Sequence, residues 1–405
     1  MIFIRASKRF PQVGAQMKIS FLNNSHLGFD PHTPLNRPLG GTESAIAYLA
    51  SALVRAGVQV TLFNHCETAS TVDGVRVIPT KSASVGLLTD CDLLVVVSSA
   101  VGSHIRAAVG KSVPMVLWGH HDINQPPILR LQEPEERASW DGHVMVSNWQ
   151  ARRFIARFAL PQSDVHVIGN AVSPAMLAEP VAPAWYETGA HPTLVYCSTP
   201  NRGLEVLLQC FPSIRARVPD VRLRIHSSMK VYGINPEADQ YIYLYNLARS
   251  LRGVDYIGSV SQSDLAKSLS SVAALAYPST FMETSCIAVM ESMASGADIY
   301  TTSFGALPET LNGFGKLMPS ENNGVLASGA NLANGYIKLV CDGLLEARAN
   351  PSAAAVQRRE RVEFARRNYN WDARAQQWIA LAQRFMTGGR FATKPLIPEP
   401  VADIA

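Results

Sequence analysis

The chain has 405 residues, 47% hydrophobic and 17% charged, with a formal net charge of +4 and a pI near 8.7. That length is generous for one domain and comfortable for two, and the apolar content can fill sizeable cores. A disordered polyelectrolyte is excluded, and so weak a positive charge argues against a nucleic-acid partner while leaving an anionic ligand open.

Six cysteines, at positions 66, 91, 197, 210, 286 and 341, stand singly with no C-x-x-C. Several lie in apolar runs, where a thiol acts as a small hydrophobe. Neither a disulfide framework nor a zinc site is expected, and a reducing cytoplasm is the default. No run approaches the ~18–20 apolar residues that cross a bilayer. Residues 1–16 carry charges but too little apolar sequence for a signal peptide, and read as an extension ahead of a fold opening at Met17.

Residues 18–23 read as the first strand, followed by a polar loop ending in Gly40-Gly41-Thr42-Glu43. Ala45, Ile46, Leu49, Ala52, Leu53 and Ala56 then recur at helical spacing, Gly57 closes the helix, and 58–63 is the next strand. The glycine pair sits at a loop-to-helix junction, where a backbone approaches something closely. The fingerprint G-x-G-x-x-G is absent, which disfavours a nicotinamide or flavin enzyme. Strands at 75–79, 92–97 and 115–119 alternate with helical stretches near 83–89 and 102–110.

His120, His121 and Asp122 follow the strand at 115–119, at the end where open α/β sheets hold ligands. The two histidines lack helix-ligand spacing and a matching cluster, which disfavours a metal. A histidine satisfied by loop backbone fits as well as one facing a ligand, and the sequence does not separate His120 from His121. A strand at 143–146 leads to Ser147 and Asn148, which cap a helix bearing Arg152, Arg153 and Arg157. A solvated face is the preferred reading of these arginines; peripheral membrane contact is the alternative. The strand at 165–168 runs into Gly169-Asn170, and residues 173–191, with Pro174, Pro180 and Pro183, have the composition of a linker.

A second alternation starts near 192. A strand at 194–197 precedes a loop ending in Arg202-Gly203, then a helix with Leu204, Leu207, Leu208, Phe211 and Ile214 inward. Strands follow at 221–226, 254–257 and 272–277, with Gly258 after the second. Helices are expected near 330–348, 351–368 and 371–386, the last anchored by Trp371, Trp378, Ile379 and Phe385. From 387 the chain has three prolines and no periodicity, and reads as a mobile tail.

The most informative stretch is 272–310. A buried strand is stopped by Pro278 and Ser279; a polar loop carries Glu283; Thr284 and Ser285 offer N-cap oxygens to an apolar helix over 286–295; Gly296 ends it, and a strand at 298–302 follows. Free N–H groups and the positive dipole end make the loop before such a helix an anion site. The dipole alone contributes only about 0.3–1 kcal/mol, so phosphate affinity needs convergent hydroxyls, amides and a cation. Glu283 and Glu291 stand one in the loop and one on the helix. Their spacing is weak evidence by itself, because Glu179 and Glu187 repeat it across Pro180 and Pro183. The setting is what matters: a buried carboxylate without a partner is expensive, and ligand hydroxyls account for Glu291 better than a structural salt bridge.

This stretch resembles the retaining nucleotide-sugar glycosyltransferases of the GT-B fold, family four, which carry P-S-x-x-E-x7-E, a small-residue A-x-G and a G-x-x-P-E turn. The matching residues are Pro278, Ser279, Glu283, Glu291, Ala294, Gly296, Gly305, Pro308 and Glu309. The resemblance implies an α/β architecture of two Rossmann-like domains facing across a cleft: an acceptor domain over 17–172, a donor domain over 192–369, and a helix over 370–386 returning to the first. It implies that Glu283 and a histidine lie by the donor sugar, that Glu291 holds the ribose hydroxyls, and that Gly40 and Gly41 face the diphosphate. Gly258 would approach the nucleobase through its backbone. Thr284 and Ser285 replace the glycines usual after the first Glu. Arg202-Gly203 matches a Lys-Gly that clamps the diphosphate, whereas Cys197 stands where the family has an Arg, with Lys230 one candidate replacement.

The implied activity is sugar transfer from a UDP-, GDP- or other nucleotide sugar to an acceptor hydroxyl with retention. The leaving phosphate would take the acceptor's proton. No cofactor and no metal are expected. The acceptor would be a lipid-linked glycan, a polysaccharide or a small molecule, and the setting cytoplasmic or at the inner membrane face. The rivals are a nucleotide-sugar epimerase on the same fold and a non-catalytic nucleotide-sugar binder.

Overall fold

The computed structural model describes residues 16–318 and 329–387. The expected extension, save Gln16, and the expected tail after Thr387 lie outside the described residues.

Two sheets organise the chain. The first contains β1 (Lys18–Asn23), β2 (Gln59–Asn64), β3 (Ser70–Val72), β4 (Val75–Pro79), β5 (Leu93–Val97), β6 (Met115–Gly119), β7 (Gly142–Met145) and β8 (Val165–Val167). Their order is β3-β4-β2-β1-β5-β6-β7-β8, parallel except where β3 meets β4. The second holds β9 (Thr193–Tyr196), β10 (Arg222–Ile225), β11 (Val254–Tyr256), β12 (Ala274–Tyr277), β13 (Asp298–Thr302) and β14 (Lys316–Met318), ordered β11-β10-β9-β12-β13-β14 and wholly parallel. Central strands such as β5, β6 and β12 are buried along their whole length, as continuous apolar runs covered by helices on both faces must be. Strand order reverses between β1 and β5 and between β9 and β12. Crevices for ligands open at such switch points, beyond the carboxyl ends of the strands.

Most expected strands are present within a residue or two. The sequence reading lacks β3 and β14, each only three residues long. Residues 173–191 are more structured than a linker: Pro174–Ala178 and Trp185–Thr188 are short helices, with Met176 and Trp185 buried. The arginine helix, Asn148–Phe158, is capped by Ser147 as expected, its hydroxyl accepting from Gln150 N at 3.0 Å. Its arginines are not simply solvated, since Arg153 pairs with Asp122 at 2.9 Å and stacks on Trp149.

The last helix, Trp371–Thr387, returns to the first lobe. Trp378 is fully buried, edge-on to Trp118 at 5.2 Å and to Phe21 at 6.2 Å between ring centroids. The preceding helix, Pro351–Asn368, holds the motif helix, Ile287–Ala294, from behind. Arg358 and Arg361 donate to the Gly296 carbonyl and Arg366 to that of Ala294. Three guanidinium groups thus answer the unpaired carbonyls and the negative end of the helix dipole. The positive end points into the space between the lobes.

Candidate active site

The loops after β1, β9 and β12 meet at the switch points around a cavity of about 230 Å³ between the lobes. Two glycines make the convergence possible. Gly203 has φ +108°, and a Cβ there would collide with the Pro278 carbonyl oxygen, so only glycine lets the Arg202 loop lie on the β12 loop. Gly305 has φ +71°, and a Cβ would sit 2.5 Å from the Glu283 backbone, which forms a parallel bridge to it. The expected glycine turn therefore fixes the backbone of the first motif carboxylate.

Glu283 is 3% exposed. Arg202 Nη1 donates to both its oxygens, at 2.6 and 2.7 Å, and the Tyr277 hydroxyl donates to Oε1 at 2.5 Å. Three residues, Thr280, Phe281 and Met282, separate Ser279 from Glu283, one more than the family pattern contains. Phe281 lies with its ring centroid 4.1 Å from Arg202 Cζ.

Glu291 is 2% exposed and has no ion-pair partner among the described residues; one backbone donor, Ser173 N, reaches Oε1 at 3.3 Å. Burial raises its pKa to about 8, opposed by that single hydrogen bond. Its expected partner is not a salt bridge, and the carboxyl faces the cavity.

The capping expectation is corrected. Cys286, not Thr284 or Ser285, is the N-cap residue, and no side chain caps the helix. The Thr284 hydroxyl instead donates to the His120 carbonyl at 2.9 Å, and the Ser285 carbonyl accepts from Asn170 Nδ2 at 3.2 Å. Both bonds tie the motif loop to the first lobe and leave the amides of the first helical turn to the cavity, which Ile287 and Ala288 line. From the opposite side Gly40 and Gly41 begin the helix Gly41–Arg55, Gly40 serving as N-cap. A Cβ on Gly40 would come within 3.2 Å of the Tyr232 ring, and one on Gly41 within 3.5 Å of Ile287.

The histidines separate. His120 lines the cavity and its Nε2 has no partner; burial, with His121 nearby, lowers its pKa to about 3, so the ring is neutral at pH 7. His121 does not line it, and its carbonyl holds Gln150. Gly258 is also off the wall: its N–H donates to Ile225 O at 3.3 Å, while Ser259 and Val260 line the cavity. Lys230 is exposed and outside the lining. Cys197 does line the cavity, its thiol pushed up to about 12 by burial and thus uncharged.

Sequence reasoning named Asn170 in the Gly169-Asn170 turn without a partner for it, and missed Tyr232, Tyr277 and Phe281. Phe281 lies beside a motif already singled out; Tyr232 carries no local signal. Among the described residues, no group of three or more His, Cys, Asp or Glu is arranged to hold a metal ion.

Residues 191–342 match the family model described as glycosyl transferases group 1. In fold the chain is similar to a glycosyltransferase from Rickettsia africae, with TM-score 0.69 and 13% identity over 92% of this chain and 100% of that one. It is also similar to HepE from Anabaena in complex with UDP and glucose, with TM-score 0.62 and 16% identity over 91% and 100%. A third likeness is the catalytic domain of starch synthase IV from Arabidopsis thaliana bound to ADP and acarbose, with TM-score 0.64 and 11% identity over 92% and 100%. No curated protein matches the chain in sequence. The architecture is GT-B, and the family match over the second lobe is to group 1 glycosyltransferases, as the resemblance implied.

Proposed function

We propose that the protein is a retaining hexosyltransferase that moves a sugar from a nucleoside-diphosphate sugar to an acceptor hydroxyl, without a divalent metal, in cytoplasmic synthesis of a cell-surface glycan or glycoconjugate. One observation carries this reading: two helix N-termini, a guanidinium and two buried carboxylates converge on one cleft between the lobes. Neighbours solved with UDP, UDP-glucose or ADP support a nucleoside diphosphate as the donor's handle.

Glycosyl transfer requires that charge be stabilised on a departing diphosphate while the anomeric carbon becomes oxocarbenium-like. Amides at residues 41–42 and 287–288, with Arg202, are preorganised donors for the leaving group. Glu291 accepts the ribose hydroxyls. Neutral His120 offers Nε2 to a sugar hydroxyl, and Glu283 helps hold the sugar, which is catalysis by orientation. Both oxygens of Glu283 already accept hydrogen bonds, which suits orientation better than covalent attack. The leaving phosphate then takes the acceptor's proton on the face of attack, and the acceptor enters from the first lobe.

The test is a panel of UDP-, GDP- and ADP-sugars, with binding read by calorimetry and slow donor hydrolysis by mass spectrometry, with and without EDTA. One nucleotide class should bind and be hydrolysed, unaffected by chelation. Binding without turnover, or release of an altered nucleotide sugar with no acceptor, would move the protein to a binder or an epimerase. Failure of every donor to bind would overturn the reading.

A further inference from the structure

The loop after β12 contains a residue that the glycosyltransferase reading does not use. Phe281 is half-buried, with its ring against one face of the Arg202 guanidinium at 4.1 Å. Of the five N–H groups of an arginine, the two on Nη1 are those directed to Glu283. Among the described residues, Nε and Nη2 make no protein hydrogen bond, and Arg202 lines the cleft. The Nε–Nη2 edge is the fork that grips a phosphate with two parallel bonds. Glu283 fixes one corner of the planar group but leaves rotation about the Nη1 contact open. The ring beneath closes that freedom, because a guanidinium stacks flat on an aromatic face. Tyr277 completes the support by holding Glu283 from the other side, its own oxygen lying 3.3 Å from Ser198 Oγ.

We propose that Phe281 is a positioning residue that orients Arg202 so that its Nε–Nη2 edge meets the donor diphosphate. This rests on the glycosyltransferase reading for the ligand, but not for the orientation of Arg202. The length of the segment fits the role: the one residue added between Ser279 and Glu283 lies in the span that delivers the ring under the guanidinium. It also answers a deficit of the site. Where the resemblance implies a second arginine stands Cys197, so among the described residues Arg202 is the only Lys or Arg lining the cleft and its direction matters more.

The experiment has two arms, using the full chain. In the first, crystals of Phe281→Leu are compared with wild type without ligand; the guanidinium should keep its 2.6–2.7 Å Nη1 contact with Glu283 but turn about it, so that the Nε–Nη2 edge is redirected or disordered. An unmoved Arg202 would overturn the proposal whatever the protein's activity. In the second, UDP, GDP and ADP binding is measured by calorimetry for wild type, Phe281→Leu, Arg202→Ala and the double variant. Phe281→Leu should weaken the tightest-binding nucleotide about three- to tenfold, Phe281→Tyr should restore it, and the loss should vanish in the Arg202→Ala background. An equal loss in both backgrounds means that Phe281 acts independently of Arg202 and overturns the proposal. If wild type binds none of the three, the glycosyltransferase reading fails, and the crystallographic arm still decides the role of Phe281. Phe281→Met supplies the same comparison should the leucine variant not fold.

Discussion

The carboxylate of Glu309, from the second lobe, caps the helix that begins at Asn148 in the first. Oε1 accepts from Asn148 N at 2.8 Å and from Asn148 Nδ2 at 2.9 Å, and Oε2 accepts from Trp149 N at 2.8 Å. An anion at a helix N-terminus is favoured by the free amides and the dipole together. The turn that fixes Glu283 through Gly305 therefore also latches the two lobes, a few residues further on.

Glu309→Ala should loosen the closed arrangement with little loss within either lobe. An anionic cap at a partly buried helix N-terminus is worth on the order of 1–2 kcal/mol. We expect a larger radius of gyration in small-angle scattering and a KM for donor raised about tenfold, with kcat changed less. An unchanged scattering profile would show that other contacts hold the lobes together.

Glu291 gives a pH prediction. With its pKa near 8 in the empty cleft, the group is mostly protonated at neutral pH. Ribose hydroxyls donate to the carboxylate, so the bound form has the lower pKa, and binding releases a proton. Affinity should rise by up to about tenfold per pH unit toward pH 8 and level off above it. Calorimetry in buffers of different ionisation enthalpy would register the release, and Glu291→Gln should abolish it. Proton release that persists in the glutamine variant would remove Glu291 from the ribose.

The same shift has a stability consequence. A carboxyl whose folded pKa is raised contributes stability that is complete below its ordinary range and lost as pH climbs to about 8. Without nucleotide, the melting temperature of Glu291→Gln should gain on wild type between about pH 5 and pH 8. A constant gap would mean that the group is solvated.

Arg202→Ala and Glu283→Ala should each lower turnover by roughly two orders of magnitude, the scale of losing one transition-state donor. The pair shares two hydrogen bonds, so the double variant should lose less than the product of the singles. Full additivity in steady-state kinetics would show that the two act separately.

Much of this was legible in the sequence because buried parallel strands leave continuous apolar runs and because β12, the motif loop and the helix Ile287–Ala294 are contiguous. The edge strand β3 is announced by Asp73-Gly74, a hairpin turn whose φ values are +47° and +79°, but the strand itself, Ser70–Val72, is too short and polar to stand out. Other features had no local signature. Glu309 and Asn148 are 161 positions apart, and Ser173 reaches Glu291 over 118. Thr284 and Ser285 had the right residue types for a cap, but the helix begins at Ile287 with Cys286 as N-cap, and the Thr284 hydroxyl is taken by the His120 carbonyl in the first lobe. The separation of His120 from His121 follows from which ring faces the cavity, a matter of backbone course rather than residue type.

The central claim is that the cleft between the lobes holds a nucleotide sugar by its diphosphate. A crystal structure with the donor selected from the panel tests it most directly. The account predicts phosphate oxygens within hydrogen-bonding distance of Arg202 and the amides at 41 and 287, with the ribose on Glu291. A donor bound outside the cleft, or bound within it with its phosphates turned away from Arg202 and both helix ends, would contradict it.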